Sequence, residues 1–70
     1  MNTLDLHGVR HEKVENLVED FVLTEDLPAR IITGNSNVMI RIVQEVCARH
    51  NLHEIPENHY NLGSRIIMEQ

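Results

Sequence analysis

Val14, Leu17, Val18, Phe21 and Val22 recur at i, i+3, i+4, i+7 and i+8, the apolar stripe of a helix lying on one surface. Glu12, Glu15, Glu19 and Asp20 fill the outer face, and no clean cap residue precedes the helix. The pattern stops near Thr24, where Glu25, Asp26 and Pro28 cannot continue it. Before this helix, Leu4-Asp5-Leu6-His7-Gly8 alternates as a strand running into a turn. Alternation sends Leu4 and Leu6 to one face and Asp5 and His7 to the other, about 6 to 7 Å apart.

Arg30-Ile31-Ile32-Thr33 reads as a second strand ending at Gly34, and Asn35-Ser36-Asn37 supplies a turn with a helix cap. Val38, Met39, Ile42, Val43, Val46 and Cys47 then form the buried stripe of a second helix. Arg41, Gln44, Glu45, Ala48 and Arg49 face outward, Ile40 falls off the stripe toward solvent, and Asn51 is a suitable left-handed stop. Leu52 to Ile55 reads as a short edge strand interrupted by Pro56, with residues 57–63 as a loop. Arg65 to Glu69 closes the chain as a strand.

The resulting order is β-α-β-α-β-β. A strand-helix-strand unit crosses over right-handed with its strands parallel, so the turns at His7-Gly8 and Thr33-Gly34 leave the sheet at the same edge. Ligands of α/β sheets gather beyond the carboxyl ends of such strands, and the free N–H groups opening the second helix attract an anion. An acid, an imidazole and a phosphate-sized anion site thereby share one corner.

Composition narrows the class. Seventy residues make a single domain, 1–70, that hides only about 60% of its unfolded surface. Phe21 and Tyr60 are the only aromatics, so aliphatic packing carries stability, and dimerisation would help a core this thin. One cysteine, a polar start and no long apolar run point to a cytoplasmic protein without signal peptide or membrane span. The formal net charge of −5, with six Lys and Arg, argues against tight binding to bulk duplex, which relies on neutralised phosphates. Arg41, Arg49 and Arg65 nevertheless lie away from most acids, which permits one cationic face.

Leu4-Asp5-Leu6-His7-Gly8, an apolar strand ending Thr33-Gly34, and this order of elements resemble the small MutS-related (Smr) domain over nearly the whole chain. The resemblance implies an α/β two-layer sandwich, a mixed four-stranded sheet with both helices on one face, similar to the C-terminal domain of bacterial translation initiation factor three. It further implies DNA or RNA as partner, as a nicking or RNA-cleaving endonuclease or as a binding module. Asp5 and His7 would be catalytic. Gly8, Arg10, Thr33, Gly34, Asn35, Ser36, Arg41 and Arg65 would bind nucleic acid. The chain departs from the family where a second loop glycine, often preceded by a cation, gives way to Asn35 and Ser36, and where the later glycine-rich turn shrinks to Asn61-Leu62-Gly63-Ser64.

Chemically, His7 suits general acid or base work near neutral pH, while Asp5 would orient it or hold a divalent cation such as Mg2+. The residues alone leave a plainer alternative open: Asp5 caps the Gly8 turn, His7 bonds a backbone carbonyl, and the domain is an inactive Smr-like module for protein interaction or regulation. Cys47, His50 and His53 recur every third residue, but Cys47 belongs to the apolar stripe and no fourth ligand follows. No metal ligands are assigned.

Overall fold

The computed structural model describes residues 1–70: β1 (Thr3–Asp5), α1 (His11–Thr24), β2 (Ala29–Ile32), α2 (Asn37–Arg49), β3 (Leu52–Pro56) and β4 (Ser64–Glu69). The sheet order is β1-β2-β4-β3. β1 and β2 run parallel, and β4 is antiparallel to both β2 and β3. This is the mixed four-stranded α/β arrangement expected.

The core lies on one side of the sheet. Val14, Val18 and Val22 of α1 and Met39, Val43, Val46 and Cys47 of α2 close over Leu6, Ile31 and Ile67. Both helices therefore cover the same face. The alternate residues Arg30, Ile32, Ile66 and Met68 belong to the uncovered face and are only half-buried. No helix is long and apolar enough to cross a membrane.

Local chemistry accounts for the element ends. Ser36 caps α2 by accepting the Met39 N–H at 3.2 Å, and Asn51 takes φ 58° just past its end. α1 starts at His11, and Arg10 in the N-cap position offers no side-chain hydrogen bond. The Leu27–Pro28 peptide that leads into β2 is cis.

Three placements differ from the sequence reading. Leu17 is 40% exposed. Glu15 and Glu19 face α2 through Arg49, and Leu17 lies about 160° around the helix from Glu15, on the flank away from α2. Val38 is also exposed, in the outward row of Arg41 and Glu45, whereas Ile40 is half-buried. Finally, Pro56 completes β3 rather than interrupting it. β3 pairs with β4 alone, so a residue lacking an N–H is tolerated at this edge.

Candidate functional site

Parallel pairing places Asp5 opposite Ile32, and the Leu6 N–H continues the ladder to the Ile32 carbonyl at 2.9 Å. The Gly8 and Gly34 turns consequently leave the sheet at one edge. Both glycines hold left-handed backbone, φ 78° and 62°, a conformation that costs a side-chain-bearing residue free energy.

Asp5 lies on the uncovered face at the end of β1, and His7 follows in the turn at this edge. Asp5 Oδ1 accepts the His7 backbone N–H at 2.9 Å, so one carboxylate oxygen fixes the turn that carries the ring. The plainer reading of Asp5 is thus realised. The second half of that reading is not, because the exposed His7 imidazole makes no hydrogen bond to backbone or side chain. Asp5 holds the turn, and the His7 ring is left without a hydrogen-bond partner.

The second turn is locked by a partner that the sequence reading gave only a minor place. β4 runs antiparallel to β2, with Ile32 opposite Ser64, which brings Gly63 beside Gly34. The Gly63 carbonyl accepts the Thr33 N–H at 2.7 Å, the Gly34 N–H at 3.2 Å and the Thr33 hydroxyl at 3.1 Å. A Cβ on Gly63 would stand 2.5 Å from the Gly34 carbonyl oxygen. Close backbone approach, rather than positive φ, is what demands glycine here. Thr33 is buried, Gly34 and Asn35 are exposed, and Ser36 is engaged as the cap.

The cations sort differently from the expected patch of Arg41, Arg49 and Arg65. Arg65 is buried on the helix-covered side. Its Nε and Nη2 donate to Glu54 at 2.6 and 2.8 Å, and Nη1 donates to the Leu62 carbonyl at 2.9 Å. Arg65 holds the β3–β4 hairpin and is not presented to a phosphate. Arg49 is spent between Glu15 and Glu19, at 3.5 and 3.2 Å. Arg30 forms a bidentate pair with Glu57, at 3.0 and 2.6 Å, and that pair holds the Glu57 carboxyl below its ordinary value.

Three cations remain. Lys13 and Arg41 have no carboxylate within 4.0 Å, and Arg10 touches only Glu12, at 3.8 Å on open surface. Such an exposed pair contributes little and releases its arginine readily. Arg10 and Lys13 open α1 and Arg41 lies in the second turn of α2, the helix ends that follow the His7-Gly8 and Thr33-Gly34 turns. The uncommitted cations therefore stand at or near the starts of the helices that follow the two turns. Lys13 escaped the sequence reading because its freedom depends on the acids around it pairing elsewhere.

The edge is open surface. Of two hollows on the molecule, the larger, about 420 Å³, is lined by Met1, Asn2, Asp26, Leu27 and Pro28, where β1 and β2 begin, at the far end of the strands from His7. The smaller, about 180 Å³, runs along α2 by Asn37, Val38, Arg41, Ile42 and Glu45. Nowhere do three or more His, Cys, Asp or Glu side chains assemble as a metal cage. Cys47 is buried and its thiol is pushed up to about 11 by burial, as for an inert core residue.

No protein-family model, curated protein or solved structure matches this chain.

Proposed function

We propose that the chain is a minimal Smr-like nucleic-acid-binding domain that takes a single-stranded or structured RNA or DNA across the edge formed by the β1 and β2 turns. His7 is the group that would cleave it. The observation supporting this reading is that the free His7 imidazole, the Asp5 carboxylate that holds its turn and the capped start of α2 follow strand ends that share one edge, while the uncommitted cations Lys13, Arg41 and the loosely held Arg10 stand at or near the starts of the helices those turns open. An open edge suits an extended polymer better than an enclosed small molecule.

In the RNA reaction, His7 takes the proton of a 2'-hydroxyl as that oxygen attacks the adjacent phosphorus. The bond to the leaving 5'-oxygen breaks, and the imidazolium returns the proton to it. On DNA a water replaces the hydroxyl as nucleophile. Lys13 and Arg41 would stabilise the charge that builds on the phosphate. Asp5 acts through His7 by holding the turn.

Circular DNA and a panel of RNAs, each incubated with and without Mg2+, test the cleavage. Products that vanish in His7→Ala, with the far-UV spectrum unchanged, are expected; products that persist would assign the chemistry to another group. Binding is tested by salt titration on a labelled strand. Three neutralised phosphates give a log–log slope of about −2 on single strands. Lys13→Ala and Arg41→Ala should each flatten it.

A further inference from the structure

The uncovered face of the sheet carries a second message. Central strands of a two-layer domain are expected to alternate, apolar toward the helices and polar toward water. Here Ile31-Ile32 in β2 and Ile66-Ile67-Met68 in β4 are apolar on both faces, the pattern of strands covered from both sides. Cross-strand registers pair Arg30 with Ile66 and Ile66 with Ile55, so Ile55 extends the Ile66 row to the sheet edge. With Ile32 and Met68 on the adjacent rows, four aliphatic side chains form one patch. Ile55 is 46% exposed, and Ile32, Ile66 and Met68 are half-buried although no element lies over them.

The charge on this face identifies what covers it. Its one cation, Arg30, is matched by bidentate contact with Glu57, which also accepts from the Ser64 hydroxyl. The centre of the face is neutral, and its one ring, His53 opposite Met68, lies on the edge strand, so the face has no row of aromatic rings on which successive bases could stack. The chain as a whole is strongly acidic, −5, so two copies repel through most surfaces. This neutral, apolar face is where they meet without that cost.

We infer that the face built by Ile32, Ile55, Ile66 and Met68 packs against the same face of a second copy, forming a two-fold symmetric dimer with the helices outside. Such an interface is self-complementary, as two-fold symmetry requires. Four strands about 4.8 Å apart and up to about six residues long give a flat footprint of roughly 400 Å² per copy, or about 800 Å² in all, before side-chain relief is added. That falls below the roughly 1,200 Å² of a stable specific contact, so the dimer is weak, reversible and dependent on concentration. Asp5 sits on the outer strand at the rim of that footprint, and His7 lies in the turn beyond it.

Sedimentation velocity from low micromolar to millimolar concentration tests the inference on the full chain. A sedimentation coefficient that climbs from monomer to dimer, and stays at the monomer value in Ile55→Lys, is expected. A wild-type chain that remains monomeric throughout overturns it, whether the face is bare or reserved for a different protein. A dimer that survives Ile55→Lys overturns it too, by placing the interface elsewhere. Ile55→Ser serves if the lysine variant fails to fold, as judged by circular dichroism. Nucleic-acid binding plays no part in these readings, so the two claims stand or fall separately.

Discussion

Replacing Gly63 with alanine should be the most damaging single-methyl change at the site. The added Cβ would sit 2.5 Å from the Gly34 oxygen, 2.6 Å from its carbonyl carbon and 2.7 Å from its Cα. All three are backbone atoms, which cannot rotate away. Relief requires the two turns to part, and the parting stretches the three hydrogen bonds that the Gly63 carbonyl accepts. Overpacking of this kind costs about 1–3 kcal/mol, and stretching three hydrogen bonds that are each worth about 0.5–1.5 kcal/mol forfeits a part of that, about 1 kcal/mol in all. Against a total of roughly 4–10 kcal/mol for a chain of this length, a loss of about 2–4 kcal/mol removes a large fraction of the stability.

Gly34→Ala provides the contrast. Nothing lies within 4 Å of its Cβ position, so its cost is the left-handed backbone alone, about 1–2 kcal/mol. Urea denaturation of both variants should lower the midpoint more for Gly63→Ala, with unchanged slope. Thermal melts should fall by about 4–8 °C per kcal/mol. An alanine at 63 tolerated as well as one at 34 would refute the claim that close approach of the two turns closes the site.

Leu6→Ala should destabilise by about 2–5 kcal/mol because Leu6 is fully buried. Leu17→Ala, on an exposed flank, should cost under about 1 kcal/mol, and equal melts for the two would contradict the packing described. Hydrogen bonding from His50 holds the Glu19 carboxyl below its ordinary 4.5, and Arg30 does the same to Glu57. A carboxyl lowered on folding stabilises above its unfolded value and loses that contribution as pH falls through the folded one. Urea midpoints should therefore decline below about pH 4.5, and less so in Glu57→Gln; an identical decline in that variant would remove Glu57 from the account. Cys47 should resist a thiol reagent in native buffer and react rapidly in denaturant, whereas fast native labelling would show an open core.

Periodicity carried the fold a long way. The valines at 14, 18 and 22, the Ser36 cap and the left-handed Asn51 are all local signals, readable without tertiary context. Leu17 and Val38 mark where such reading stops, because burial at the edge of an apolar stripe depends on which neighbour arrives and from which side. At the site, a strand running into a glycine turn was legible at residues 4–8, though His7 meets Asp5 through a turn hydrogen bond rather than strand alternation, and the parallel pairing puts the Gly8 and Gly34 turns at one edge. The availability of cations was not legible. Arg65 finds Glu54 across a hairpin and Arg49 finds Glu15 and Glu19 across a helix pair, and only the folded chain shows that Lys13 is left over. Gly63 was visible as a turn residue, but its contact with Gly34 joins positions far apart in the chain.

Amide chemical shifts recorded during titration with a short single-stranded oligonucleotide put the whole proposal to the test residue by residue. Perturbations confined to residues 7–13, 33–37 and Arg41, and weakened by added salt, are the predicted result. Shifts concentrated at Asp26 to Pro28, or along Ile55 and Ile66, or none at all, would contradict it.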